Sequence, residues 1–508
     1  MKGVLIGLDV GTSSVKAAMF DLRGYLMAKA AVPIRLYSPA PGWFEQEPDE
    51  WWRAAVQILQ EIIQNTRQAQ VLALGLSGQC PSHVLVTHDH HPIGRAIIWR
   101  DQRAAAEAAW LAEHVTHSQA KEWLGTSSLG DATCPPARLL WLQRHALAEW
   151  DQAAAVIQPK DFIALRLTGR IATDRYSAYC LGNPDTGQYD SHYFEVLGIP
   201  IEKMPEMLKP VEVIGSVTPA VEQEIGLKAG TPVIIGTIDA YCDNLACGIT
   251  HPGRAVDVAG TSEIVSLAID QKVDAPGVFP LSLSGDATFL CGPTQAGGDT
   301  LRWLYHCFYT DSGEVVQYEM MEAAAKSVPA GSEGLVFLPY LSGERAPLWD
   351  ADARGAFIGL TFQHDRRHCS RAVYESIGFA IRHILEISEG AAGQKAGELI
   401  VCGSGSRSAF WNQIKADILQ RPVIPTVVSE TGCLGAAMLA SVGIGLYQDL
   451  KAACSSMVVF RDRLIPDVRL AEVYEQGYRA YRSFYPALKP ILSISKDRQE
   501  CTSVTISN

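Results

Sequence analysis

No apolar run in this chain approaches the ~18 to 20 residues that a bilayer-spanning helix needs, and the amino terminus enters a strand pattern without a signal-peptide profile. No membrane association is expected, and the expected location is the cytoplasm. Positive charge is also scarce. The formal net charge is -12, and Lys and Arg are dispersed with no basic run or interleaved aromatic tract. Such a chain is a poor match for a nucleic-acid backbone, although a locally basic pocket for an anionic small molecule remains compatible. The twelve cysteines are scattered from Cys80 to Cys501 with no C-x-x-C, so neither a disulfide framework nor structural zinc is expected. There is no G-x-x-x-x-G-K-[ST] and no H-R-D or D-F-G set, which removes P-loop and protein-kinase mechanisms.

What is present is a globular composition, 47% hydrophobic and 19% charged over 508 residues. That length is too great for one compact core and favours roughly two to four domains. One short pattern occurs twice, about half a chain apart. Residues 6–21 read IGLDVGTSSVKAAMFD, and residues 254–270 read RAVDVAGTSEIVSLAID. In each, a β-branched apolar run meets Gly-Thr-Ser and a second apolar run follows, which predicts a tight β-hairpin. A single Gly-Thr-Ser could be an ordinary turn. Two copies instead suggest paired domains whose turns offer backbone N–H groups and hydroxyls to phosphate oxygens. The first copy adds Lys16 and Asp9, and an aspartate there could hold Mg²⁺ through water.

Further along, Pro48 and Asp49 precede a helical pattern, Val71 to Leu76 reads as a buried strand ending at Ser77-Gly78-Gln79, and residues 84–99 read as a hairpin. The turn of that hairpin carries His88, Asp89, His90 and His91, for which a solvated loop tip is preferred to a metal site. Helical patterns dominate residues 104–167 and suggest a helical insertion. The run GTPVIIG ends at Asp239, where a buried strand emerges. Ligands of open α/β sheets gather at such strand ends, so Asp239 is a candidate catalyst as well as a candidate helix N-cap. In the second half, AGGDTLRWLYH places glycines before a helix, and ELIVC leads through Gly403, Ser404 and Gly405 into another. Periodicity fades beyond Ala487.

Taken in order, LDVGTSSVKAAMFD, SGQ followed by AIIWRDQR, PKDFIALRLTG, GTPVIIGTIDA, VAGTS, GAFIGLTFQHDRRHCSRAVYESIGF and GSGSRSAFWNQIKADILQRPV resemble the FGGY carbohydrate kinases over residues 3–485. The resemblance implies an α/β fold of two ribonuclease-H-like domains, as in actin and hexokinase, with a cleft between them. It divides the chain into 1–246 on the sugar side, 247–486 on the nucleotide side, and a tail at 487–508. It implies ATP and Mg²⁺, with Asp9 for the metal and Thr12, Ser13, Lys16, Gly260 and Thr261 for phosphate. Gly298, Gly403, Ser404 and Gly405 match nucleotide positions, and Asp239 matches the catalytic aspartate, a base for a sugar hydroxyl. Gln79, Trp99 and Asp101 lie where the family contacts sugar, although Trp99 could equally be core.

The sequence departs from the family pattern in Cys80-Pro81-Ser82 after Ser-Gly-Gln, in Ala240 after Asp239, and in Arg138 where the family signature has Lys. The expected activity is phosphorylation of a small sugar or polyol, a ketopentose such as xylulose first. Erythritol, ribitol, ribulose and gluconate are the alternatives within the family. An actin-like ATPase and a catalytically silent sugar sensor are alternatives outside it. A homodimer is a candidate assembly.

Overall fold

Both predicted hairpins form in the computed structural model, which describes residues 2–65, 69–126, 129, 131–283, 287–309 and 316–504. The chain folds into two compact units. One comprises Met1–Ala246 with Glu430–Val458, and the other comprises Cys247–Ser429 with Val459–Asn508. The return of Glu430–Val458 to the first unit has no counterpart in the sequence reading.

In the first unit a six-stranded sheet runs in the order Val213–Ser216, Pro232–Ile238, Ala69–Gly78, Lys2–Val10, Ser14–Asp21, Leu26–Pro33. Lys2–Val10 pairs antiparallel with the second strand of its hairpin and parallel with Ala69–Gly78, which in turn pairs parallel with Pro232–Ile238. Antiparallel neighbours need only short turns, whereas each parallel step requires a crossover. The helix Pro48–Asn65 covers one face with Trp51, Ala55, Ile58, Leu59 and Ile62, and carries Asp49 and Glu50 where its dipole favours acids. The helix Thr431–Gly443 sits against strand backbone. A Cβ on Gly7 would lie 1.8 Å from the carbonyl oxygen of Cys433, and one on Gly75 would lie 2.0 Å from that of Ala436. Only glycine permits that approach.

The expected helical insertion is mixed. Helices Ala105–His114, His117–Leu124, Pro135–His145 and Leu147–Gln152 build a separate small core around Leu111, Leu139 and Trp150. The strand Ala155–Ile157 follows them and pairs with His83–Val86, and the helix Pro159–Thr168 joins the main core through Phe162 and Ile163. An apolar stretch read for helical period does not reveal such a strand, because a three-residue strand is shorter than one period.

The second unit has its own six-stranded sheet, ordered Phe279–Leu283, Ala287–Pro293, Glu263–Ile269, Arg254–Ala259, Glu398–Cys402, Val423–Pro425. Its hairpin and third strand are antiparallel, and its last two strands join in parallel. This repeats the order and polarity of five strands of the first sheet. The long helix Arg366–Ala392 fills the core with Tyr374, Ile377, Phe379 and Ile384. Against it pack Tyr474, Tyr478 and Tyr481 of the last helix, Ala471–Val504. The tail expected from residue 487 is corrected as far as Val504, where the chain stays helical. Pro486 and Pro490 forfeit donors without leaving helical φ, and Lys489 pairs with Asp350 at 2.6 Å. Residues 505–508 lie outside the described residues.

Candidate active site

Strand register builds the first cluster. Asp9 stands opposite Lys16 across the hairpin and opposite Ser77 across the parallel pair, so residues far apart in sequence become direct neighbours. Ser77 Oγ donates to Asp9 Oδ1 at 2.8 Å. The Asp9 charge is the main cause that holds the Lys16 ammonium above its usual range, with Asp243 and Asp239 adding to it. A Cβ on Gly432 would meet the Asp9 carboxylate at 3.1 to 3.4 Å, which places the start of the Thr431–Gly443 helix against that carboxylate.

Asp239 is the first residue of the helix Asp239–Ala246, directly after the strand Pro232–Ile238. Its Oδ1 accepts from Ala240 N at 2.7 Å. Burial foremost, then the charges of Asp9 and Asp243, push its carboxyl well above the carboxylate range, and Lys16 pulls back. A carboxyl so destabilised as an anion is a stronger proton acceptor than a solvated aspartate. Asp243 follows one helical turn later, where i,i+4 spacing keeps it on the same face. It accepts from Thr431 Oγ1 at 2.6 Å, and burial raises its carboxyl to about 6.

Three carboxylates around one ammonium leave surplus negative charge on hard oxygen donors, which suits Mg²⁺. Among the described residues no group of three or more His, Cys, Asp or Glu side chains converges as a metal site. A magnesium ion here would therefore be held by one or two carboxylates and water, the usual arrangement on phosphates.

Thr12 joins the hairpin turn to the expected sugar side. Its Oγ1 accepts from Trp99 Nε1 at 2.8 Å and lies 3.4 Å from Gln79 Oε1, while its carbonyl accepts from Gln46 Nε2 at 2.6 Å. Gln79 Nε2 donates to Gln46 Oε1 at 2.7 Å. Trp99 is half-buried and anchored by its indole N–H, so it is not a core side chain. Ser13 is exposed at the tip.

Asp101 is a correction. It is fully buried, and its oxygens accept from Phe44 N, Arg103 N, Arg103 Nε and Arg103 Nη2 at 2.6 to 2.9 Å, which leaves its acceptors engaged in holding a loop. Arg138 has a related part that the sequence reading missed. It is wholly buried and donates to the carbonyls of Pro81 at 2.7 Å and Trp99 at 2.5 Å, strapping together the two loops that carry Gln79 and Trp99. Also missed was Lys160, buried between Asp161 at 2.6 Å and Asp174 at 2.9 Å, with Asp174 accepting from Thr237 Oγ1 at 2.8 Å two residues before Asp239.

In the second unit the expected nucleotide residues gather at the end of the strand Arg254–Ala259. Gly298 N donates to Gly260 O at 2.9 Å and Asp299 N to Thr261 O at 3.0 Å. Gly403 has φ +78, and a Cβ there would lie 2.6 Å from Ala259 O. Ser404 opens a short 3-10 turn beside it, and a Cβ on Gly405 would lie 2.8 Å from Ala259 Cβ. Glu344 and Arg345, which the sequence reading did not single out, brace the Gly260–Ser262 turn and the Thr294–Gln295 stretch. Arg345 Nη2 donates to Thr294 O at 2.5 Å and reaches Ser262 Oγ at 3.3 Å, and Glu344 accepts from Gln295 N at 2.6 Å.

Residues 4–246 match the model for the N-terminal domain of the FGGY family of carbohydrate kinases, and residues 255–444 match the model for its C-terminal domain. The chain belongs to the FGGY family of carbohydrate kinases. It is thus a phosphotransferase acting on sugar hydroxyls, with the two-domain α/β fold of that family. Among similar FGGY proteins, a xylulose kinase from Staphylococcus epidermidis is 29% identical over 500 residues, covering 97% of this chain and 98% of that protein. A gluconokinase from Bacillus subtilis is 26% identical, covering 96% and 95%. The crystal structure of xylulose kinase from Rhodospirillum rubrum superposes with a TM-score of 0.85 at 30% identity, covering 96% of this chain and all of that one. Gluconate kinase from Lactobacillus acidophilus gives 0.87 at 26%, covering 96% and 98%. The actin-like fold expected from the sequence is the fold of these FGGY neighbours.

Proposed function

We propose that the protein transfers the γ-phosphoryl group of ATP to a hydroxyl of a ketopentose such as xylulose, in the presence of Mg²⁺. The observation that carries this reading is the Asp239 carboxyl, raised by burial and by Asp9 and Asp243, at the mouth of a sheet whose neighbouring turn carries Thr12 and Lys16. An alcohol is a poor nucleophile until its proton can leave, and Asp239 accepts that proton as the new O–P bond forms. Lys16, the Thr12 and Ser13 turn, and Gly260 and Thr261 serve phosphate oxygens. Gly298, Gly403, Ser404 and Gly405 serve the rest of the nucleotide. Phosphoryl transfer depends chiefly on alignment and charge neutralisation, and Mg²⁺ held at Asp9 supplies part of the latter when bound.

Gln79 and Trp99, tied to one another through Thr12, face the sugar. Asp101 and Arg138 hold the loops that carry them. The names of the gluconokinase relatives make a sugar acid the second reading. A coupled ADP-release assay over ketopentoses, pentitols, tetritols and aldonic acids tests both, with the phosphate position on the product read by NMR. Sugar-independent ATP hydrolysis at the same rate across the panel would refute the kinase reading of these residues.

A further inference from the structure

The nucleotide side of the second unit rests on charges that no step above uses. Lys415, Asp257 and Glu263 are each fully buried. Asp257 lies in the strand Arg254–Ala259, Glu263 opens the strand Glu263–Ile269 directly after the Gly-Thr-Ser turn, and Lys415 belongs to the helix Ala409–Leu419. Lys415 Nζ meets Asp257 Oδ2 at 2.5 Å and Glu263 Oε2 at 3.4 Å, and lies 4.3 Å from the Trp411 ring centroid. Asp257 Oδ1 and Glu263 Oε1 are left buried with no hydrogen-bond partner.

One ammonium against two carboxylates would keep a net negative charge away from water, which burial penalises heavily. A single proton on Glu263 removes both problems. It neutralises the triad and supplies an O–H for the orphaned Asp257 oxygen. Burial foremost, then the Asp257 charge, push the Glu263 carboxyl well above its usual range, in the direction this requires.

The same helix grips the second glycine turn. Trp411 stands 2.9 Å from where a Cβ on Gly405 would lie, and Asn412 Nδ2 donates to Ser406 O at 2.8 Å. One helix thus holds the Gly403–Ser406 turn through Trp411 and Asn412, and the Gly260–Ser262 turn through Lys415.

We propose that Lys415, Asp257 and a neutral Glu263 form a positioning unit that fixes the spacing of the two glycine turns and so sets affinity for the nucleotide. This rests on the assignment of those turns to the nucleotide. The test therefore begins with sugar-dependent ADP release by the wild type, whose absence overturns the functional reading itself.

Glu263→Gln keeps the hydrogen bond but cannot ionise, and its KM for ATP is expected to stay within about twofold of wild type, as for a neutral isostere. The double variant Asp257→Asn/Lys415→Met keeps the site neutral and filled while cutting the tie. Its KM for ATP is expected to rise about tenfold, the scale of one lost charge-assisted hydrogen bond, with the KM for sugar unchanged. Three results overturn the proposal: Glu263→Gln weakening ATP as much as the double variant, the double variant keeping wild-type KM for ATP, or both KM values rising together. An infrared difference spectrum between wild type and Glu263→Gln without a protonated-carboxyl band would remove the proton.

Discussion

Replacing Asp243 by Asn tests the electrostatics of the candidate active site in stability and in rate at once. Burial lifts the Asp243 carboxyl from 3.8 to about 6, the neighbouring Asp9 charge adds to the lift, and the hydrogen bond from Thr431 at 2.6 Å opposes it. A folded-state value above the unfolded one means that the ionised group costs the folded state free energy at neutral pH. Two units correspond to about 3 kcal/mol, and partial exposure brings the expected figure to about 1 to 3 kcal/mol. Asn removes that cost and can still accept from Thr431. The variant should melt a few degrees higher at pH 7.5, at ~2 to 4 °C per kcal/mol for a unit of this size. The sign fixes the pH window. The advantage is complete above about pH 6 and disappears as pH falls toward 4, where Asp243 is protonated in the folded protein as well. Because Asp243 also raises Asp239, the acidic limb of kcat/KM should move to lower pH in the variant. Scanning calorimetry at pH 7.5 and 4.5, with pH–rate profiles, reads both effects. An unchanged melting temperature at pH 7.5, or an acidic limb that moves upward, would refute the reasoning.

Three further outcomes are expected. If Asp239 is the proton acceptor proposed above, Asp239→Asn should lower turnover roughly 10²- to 10⁴-fold while ATP binding, measured calorimetrically, stays near wild type. Trp99→Phe removes the donor to Thr12 Oγ1 and should cost about 0.5 to 1.5 kcal/mol, read as a several-fold rise in the KM for sugar with little change for ATP. Gly435→Ala would place a Cβ 2.1 Å from Cys242 O, between the helix bearing Asp239 and the helix Thr431–Gly443. It should destabilise the protein by at least about 1 to 3 kcal/mol in denaturant titration, since neither helix backbone can yield without moving Asp243 or Thr431.

The hairpins, the strand ending at Asp239 and the doubled architecture were legible because each is written in a contiguous stretch, an apolar β-branched run meeting a turn. Partners set by pairing were not. Nothing in the local sequence around Asp9 says that Ser77 will stand beside it, since that follows from the register of a parallel pair closed by a long crossover. Asp101 was placed on the sugar by the family resemblance of its position, yet its partners are Arg103 and a backbone N–H at Phe44, across a loop whose path the sequence does not encode locally. A signal did exist for the buried charges. Arg138 stands between Ala137 and Leu139, and Lys415 between Ile414 and Ala416, and a charge flanked by apolar residues in a helix has partners to be found. The segment 430–458 gave no sign of the unit it serves, because the helix TGCLGAAMLASVG is buried along most of its length and so presents no polar face to orient it.

That returning segment has a consequence for how the protein is made. Gly7, Gly75 and the helix that begins at Asp239 emerge early from the ribosome, but the helix whose backbone they receive is translated only after residues 247–429 of the second unit. The amino-terminal half therefore waits with an uncovered seam, and Asp9 and Asp243 gain Gly432 and Thr431 as neighbours only once that helix has cleared the exit tunnel.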